Sequence, residues 1–177
     1  MSDVADKLMQ QAVQARKEKR LADAKRDWAE AAELCRLEGM KRDLVAALKG
    51  LGQIERDMGH GDAALPLYEE AVALCREAGE PLALAHTIRH IGDIHLEAGR
   101  LESAEPCYLE ALTLYRRNER TGALDLANAI RPLAMLKEQK GEVKQARSLW
   151  AEAKELYAAV DVDAGVAESS RHIAHLS

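Results

Sequence analysis

Apolar residues along this chain recur at three- and four-residue steps, the pattern of amphipathic α-helices that bury one face. The pattern is clearest over residues 85–115, where two such segments flank a break at Gly99. Ile88 and Ile91 mark the apolar side of the first segment, and Tyr108 lies on the apolar side of the second. Because glycine ends a helix at little cost, this stretch predicts a helical hairpin.

The same pattern returns about 40 residues earlier and about 42 residues later, so the chain contains an internal repeat. Each hairpin carries an aromatic residue on its second helix, followed three residues later by an alanine. The aromatic positions are Trp28, Tyr68, Tyr108 and Trp150, and the alanines are Ala31, Ala71, Ala111 and Ala153. A repeated hairpin of this length is typical of a solenoid, in which stacking supplies the core that a single hairpin lacks.

We therefore predict an all-α fold and a single domain over residues 1–177. Four hairpins are expected, followed by a C-terminal helix that caps the last one. The predicted hairpins span about 1–39, 40–79, 81–117 and 124–159, and the capping helix spans about 164–176. The first hairpin differs from the others, because Ala12 and Lys19 stand where Gly52 and Gly59 stand in the second.

The combination of Leu/Ile-Gly, a turn glycine, and then alanine, an aromatic residue and alanine resembles the tetratricopeptide repeat. The repeat length of 40–42 residues is similar to that of kinesin light chains, polarity adaptors and many bacterial regulators. The family's helix-ending proline is missing after the second helices. The resemblance covers nearly the whole chain and implies a right-handed α-solenoid whose concave groove is lined by the first helix of each hairpin. It also implies a non-catalytic scaffold that binds a protein or peptide in that groove.

One position on the first helices is basic in four places. Following Arg89 through the repeats gives Met9, Lys49, Arg131 and Arg171. A row of such cations suits carboxylates, because the guanidinium group is a planar fork that makes bidentate contacts. The alternative is a solvated helix face, or pairing within the fold, since Arg89 and an acid four residues later can meet on one helix. The predicted groove residues are Lys49, Gln53, His86, Arg89, Asp93, Asn128, Arg131, Met135 and Arg171.

Charge and cysteine content narrow the choice of partners and compartment. The chain has 25 Lys and Arg against 30 Asp and Glu, a net charge of −5. No basic arm or run of Lys and Arg stands out, so we expect no binding to nucleic acid. Cys35, Cys75 and Cys107 are odd in number and follow no metal-binding or redox spacing. With no apolar run long enough to span a bilayer, we expect a cytoplasmic protein that does not bind membranes.

Histidine pairs raise the question of a metal site. His86 and His90 are four residues apart, and His172 and His175 are three apart, so each pair could face one metal ion. Neither pair has an evident third ligand. No catalytic motif or phosphate-binding loop can be recognised either, so we expect neither catalysis nor a cofactor.

The favoured function is therefore a scaffold that binds protein or peptide segments, with a preference for acidic ones. A structural role as a self-associating solenoid or assembly subunit is the alternative, and a small-ligand or metal sensor is less favoured. The oligomeric state stays open.

Overall fold

The computed structural model describes residues 3–176, and within that range the chain forms nine α-helices. Their apolar faces follow the predicted three- and four-residue spacing. The helices are α1 (Asp3–Lys17), α2 (Leu21–Leu37), α3 (Lys41–Asp57), α4 (Gly61–Ala78), α5 (Pro81–Glu97), α6 (Leu101–Arg117), α7 (Ala123–Gln139), α8 (Val143–Ala158) and α9 (Asp163–His175). The predicted all-α fold of four helical hairpins followed by one further helix is confirmed.

The helices fall into two compact units, Met1–Glu80 and Pro81–Ser177. In the first unit, α1 packs on α2, α2 on α3 and α3 on α4, while α1 also touches α3. In the second unit, α5 packs on α6, α6 on α7, α7 on α8 and α8 on α9, while α5 also touches α7. Each unit thus stacks whole hairpins, and α9 covers the end of the last one.

Tight turns join the two helices of a hairpin, and their backbone is left-handed. The φ angles are +81° at Gly59, +70° at Gly99 and +72° at Gly141, a region that glycine enters without steric cost. The first hairpin uses the same conformation without glycine, because Lys19 has a φ of +59°. A side chain in this region normally costs about 1 kcal/mol or more, so the first turn is strained relative to the others.

The aromatic residues on the second helices are buried against small residues on the first. Tyr68 lies against Gly52, and Tyr108 lies against Gly92; in both cases a Cβ atom on the glycine would be 2.8 Å from the ring. Both rings are 1% exposed or less. The absence of a side chain at these glycines therefore lets the two helices of a hairpin approach closely.

Ion pairs join neighbouring hairpins within each unit. In the first unit, Arg36 on α2 donates to both carboxylate oxygens of Glu70 on α4, at 2.9 and 3.1 Å. In the second unit, Arg116 on α6 donates to both oxygens of Glu152 on α8, at 2.7 and 2.8 Å. The two pairs occupy the same place in the repeat. The partners of the first pair are 34 residues apart along the chain, and those of the second are 36 apart. They tie together the second helices of neighbouring hairpins within each unit.

Candidate functional site

Three predicted groove residues of α5, together with His90, form a half-buried polar cluster. Asp93 accepts hydrogen bonds from the Tyr108 hydroxyl at 3.0 Å and from Arg89 Nη1 at 3.2 Å. The Nδ1 atom of His90 lies 3.4 Å from the same Asp93 oxygen that Arg89 contacts. The His90 ring meets the His86 ring edge-on, with an Nε2–Nε2 distance of 3.2 Å. The α5 side chains come together on one helix face because residues three and four apart lie side by side.

A second cluster joins α7 to α9. Arg131 donates from Nε and Nη2 to the two carboxylate oxygens of Glu168, at 2.7 and 2.6 Å. This fork-to-fork geometry is the strongest that an arginine and a carboxylate can adopt. The hydrogen bonds from Arg131 hold the pKa of Glu168 below its usual value. Glu168 therefore stays charged through the neutral pH range.

Tyrosine hydroxyls of the second helices reach the same polar region. The Tyr157 hydroxyl donates to Asn128 Oδ1 at 2.9 Å. Burial raises the pKa of the Tyr115 hydroxyl, while a hydrogen bond and the positive charge of Arg89 offset part of that rise. Burial likewise raises the pKa of Tyr157, and the charge of Arg131 acts against it. Both hydroxyls stay protonated at neutral pH; the Tyr157 hydroxyl donates to Asn128, and the Tyr115 oxygen accepts from Arg89.

We call this region of the second unit the polar face. It combines side chains of α5, α7 and α9 with one tyrosine of α8. Its members influence one another electrostatically, since the charge of Asp93 also raises the pKa of Arg131. The polar face consists of Arg89, Asp93, Asn128, Arg131, Tyr157 and Glu168.

The remaining predicted groove residues are placed as follows. Met135 is half-buried on α7, and Arg171 is exposed on α9. Lys49 and Gln53 are half-buried on α3 of the first unit, where Gln53 donates to Asp57 Oδ1 at 2.8 Å. Within the second unit, the structure thus brings the basic positions on α5 and α7 into contact with acids of the same unit. Pairing within the fold, which the sequence left open, is what it shows for Arg89 and Arg131.

Two features of the polar face were not predicted from the sequence. The first feature is the pair of Arg131 and Glu168. Arg171 is the repeat equivalent of Arg131, and Glu168 lies one helical turn before it, so comparing Arg131 with positions one turn away in the next repeat could have suggested the pair. The second feature is the hydroxyl bond from Tyr157 to Asn128, which joins α8 to α7. Neither contact follows from spacing along one helix.

The histidine pairs have partners other than a metal. His172 stacks on Trp150, with ring centroids 4.2 Å apart and nearly parallel planes. Its Nδ1 atom lies 2.9 Å from a Glu138 oxygen, which also accepts a hydrogen bond from the Trp150 indole. Over residues 3–176, no group of three or more His, Cys, Asp or Glu side chains is arranged to hold a metal ion.

The sequence profile of the tetratricopeptide repeat family matches residues 43–117. The helical hairpins and the turn glycines of the structure extend the same pattern on both sides of that stretch. The chain has a tetratricopeptide-like repeat fold. The fold of this repeat protein commonly mediates protein–protein interaction and is generally a non-catalytic scaffold. No curated protein sequence matches the chain.

Solved structures with the same fold are distant in sequence. BtubC (BKLC) from P. vanneervenii is 16% identical, with a TM-score of 0.80 over 89% of the repeat protein and 64% of BtubC. The apo form of RapI is 13% identical, with a TM-score of 0.87 over 96% of the repeat protein and 62% of RapI. A crystal structure from Podospora anserina, described as a kinesin light chain with nearly identical TPR-like repeats, is 13% identical. Its TM-score is 0.81, over 99% of the repeat protein and 87% of that chain.

At these identities the likeness shows the fold alone. The repeat protein spans slightly less than two thirds of the length of BtubC and of RapI. In the part of the chain that the structure covers, no helix has both the length and the hydropathy needed to cross a bilayer.

Proposed function

We propose that this chain is a non-catalytic scaffold that binds a segment of a partner protein along its first helices and prefers acidic segments. The fold supports the first part, because tetratricopeptide-like repeats commonly mediate protein–protein interaction. The observation that carries the second part is the bidentate bond between Arg131 and Glu168. It places a carboxylate on a first-helix surface in the geometry that a partner's carboxylate would take.

Glu168 occupies the position on Arg131 that a carboxylate of a partner protein would take. Its side chain is 24% exposed and that of Arg131 is 40% exposed, so the pair lies at the surface and is reachable from solvent. Arg171 is exposed on the same helix as Glu168, one turn further on. A partner acid could therefore pair with Arg171 directly, or replace Glu168 on Arg131.

The other predicted residues would contribute hydrogen bonds and apolar contact around these cations. His86 and Asn128 offer ring nitrogen and amide groups, and Met135 offers a flexible apolar surface. Arg89 is the least available cation, because its side chain is only 17% exposed and is bonded to Asp93. Lys49 and Gln53 of α3 are proposed as binding residues of the first unit, considered by itself.

The expected energies are small. Replacing one carboxylate by another on Arg131 exchanges like for like, and exposed ion pairs contribute about 0–1 kcal/mol each. Affinity for an acidic segment should fall with salt, because screening acts over roughly 8–10 Å at physiological ionic strength. From the polar face alone we therefore expect weak binding, which falls as salt rises and which depends on the acidic content of the bound segment.

The test uses an acidic peptide library, with binding measured at low and high salt. The variant carries Arg131→Glu together with Glu168→Arg, which keeps an ion pair between α7 and α9 but moves the positive charge. The matched control carries Arg116→Glu together with Glu152→Arg, which makes the same exchange between second helices. Weaker binding of acidic peptides to the first variant only would support the proposal. Equal binding by both variants and the unaltered chain would refute the role of the polar face.

We also propose that the protein acts in a reducing compartment, the cytoplasm. Its three cysteines are present as thiols, with Cys35 and Cys75 buried in the first unit. Small buried thiols are ordinary core residues where disulfides do not form.

A further inference from the structure

The first unit contains an open pocket between α1, α2 and α3 that the polar face does not include. Its volume is about 390 Å³, within the range of ligand pockets. Val13 and Arg16 of α1, Leu21 of α2 and Gln53 of α3 contribute to its walls. A shallower pocket of about 300 Å³ adjoins it along α1 and shares Val13. The two form one groove along the exposed side of α1.

Trp28, which is 9% exposed, contributes the accessible edge of its indole ring to the floor of the pocket. This ring lies directly on the backbone of α3 at Gly50, where a Cβ atom would be only 2.4–2.6 Å from three ring carbons. Real Cβ atoms do not approach so closely, so this ring position requires glycine at that point. Val13, which is 42% exposed, and Leu21 extend the apolar surface beside the ring. The pocket thus offers an apolar seat for a single large side chain.

The rim of the pocket is basic. Arg16, Lys17 and Lys19 line it, against the single carboxylate of Asp57. That carboxylate is already bonded to Arg16, at 2.5 and 3.3 Å. Burial alone would raise the pKa of Asp57, but the hydrogen bonds from Arg16 and Gln53 outweigh it and leave that pKa lowered.

Arg16 and Asp57 therefore neutralise each other. Over the described residues, Lys17 and Lys19 make no ion pair with an acid of this chain. Two positive charges are left facing the mouth of an apolar pocket.

We propose that this pocket is an anchor site for a partner segment in which a large apolar side chain is followed by acidic residues. The apolar side chain would lie on Trp28 between Val13 and Leu21, and the acids would pair with Lys17 and Lys19. Charge complementarity and the apolar floor select this occupant over a basic or a purely polar segment. The inference rests on the proposed function, since it assumes that the chain binds protein segments, but it concerns a pocket that shares only Gln53 with the residues proposed there.

The proposed partner can be probed with short peptides. Three end-blocked peptides would be compared: one with a leucine followed by two glutamates, one with a leucine followed by two glutamines, and one with a serine followed by two glutamates. The readout is the indole signal of Trp28 in proton–nitrogen NMR spectra, with Trp150 as an internal reference because the chain has only two tryptophans. We expect the first peptide to shift the Trp28 signal saturably, and the other two to bind more weakly.

The variant Lys17→Glu plus Lys19→Glu tests the rim. Its matched control is Lys7→Glu plus Arg42→Glu, which changes the net charge equally at exposed positions outside the pocket. We expect the rim variant to lose about three- to tenfold in affinity and the control to lose far less, since two exposed pairs are removed. Equal losses in both would overturn the anchor site in favour of non-specific attraction.

Other outcomes separate this inference from the proposed function. If the peptide shifts only signals of the second unit, and the exchange of Arg131 and Glu168 removes binding, the polar face binds and the pocket does not. If none of the three peptides shifts the Trp28 signal, the anchor site is refuted, and the library experiment still decides the proposed function.

Discussion

Replacing Gly92 by alanine would test how the second unit is packed. A Cβ atom at this position would lie 2.8, 2.9 and 3.1 Å from three carbons of the Tyr108 ring. The ring is 1% exposed and its hydroxyl is bonded to Asp93, so it has little freedom to move. Restoring ordinary contact would displace the ring by roughly half an ångström, enough to lengthen the 3.0 Å hydrogen bond beyond useful range.

The competing energies can be compared. Alanine in a helix interior gains about 1 kcal/mol over glycine. Overpacking a closed core costs about 1–3 kcal/mol, and losing a hydrogen bond to a charged group costs about 1.5–3 kcal/mol. We therefore expect Gly92→Ala to lower the free energy of unfolding by about 2–4 kcal/mol, against the gain that helix propensity alone would give.

The assay is urea unfolding followed by tryptophan fluorescence in a Trp28→Phe background, so that Trp150 reports on the second unit. Gly122→Ala is the matched control, because Gly122 has an ordinary φ of −72° and its nearest foreign atom would be 3.8 Å away. That change should stay within about 0.5 kcal/mol of the parent. Tyr108→Phe, made in both the parent and the Gly92→Ala protein, isolates the hydrogen bond. If Gly92→Ala is as stable as its parent, the packing argument is wrong.

Three further outcomes are expected. Hydrogen bonds from Lys137 and Lys140 lower the pKa of Glu105, so this carboxylate stabilises the second unit fully above pH ~4.5. Its contribution is lost as pH falls through the lower pKa of the folded state. Acid titrations followed by circular dichroism should therefore show that Glu105→Gln loses less stability with falling pH than the parent does. Lys19→Gly should relieve the strained first turn but add freedom to the unfolded chain, for a net gain of about 0–1 kcal/mol in thermal unfolding, and a clear loss would contradict the strain argument. His172→Ala should loosen α9 from α8, because it removes the stack of the His172 ring on Trp150. We expect faster amide hydrogen exchange over Asp163–His175, and unchanged exchange there would show that the stack does not hold α9.

The helices themselves could be predicted from the sequence, because their apolar spacing and turn glycines repeat. The glycines predicted to end first helices do adopt left-handed backbone, and the alanines of the second helices, such as Ala71 and Ala111, are fully buried. Both properties depend on local geometry that every repeat shares. Repetition made the prediction of the helices strong, since each hairpin shows the same spacing of apolar residues independently.

Contacts between neighbouring elements were harder to predict. Gly50 and Gly165 stand outside the repeated glycine positions, yet each receives an aromatic ring directly on its backbone. Whether a ring meets its own hairpin or the next one depends on helix tilt, which spacing along the chain does not encode. The partner of Arg131 was equally hard to predict, because a long charged side chain can contact any of several acids within one helical turn.

The ion pairs that link second helices affect how such an array can lengthen. Hairpins one to three each carry both halves of the bond, a glutamate in the middle of the second helix and an arginine six residues later, as in Glu30 with Arg36. A duplicated hairpin inserted between the first and the second would therefore present an acid to the hairpin before it and a base to the hairpin after it. The fourth hairpin keeps the acid at Glu152, but Ala158 replaces the arginine. Growth by duplication is thus electrostatically self-matching within the first unit, whereas a copy placed after the fourth hairpin would have to be joined by other contacts.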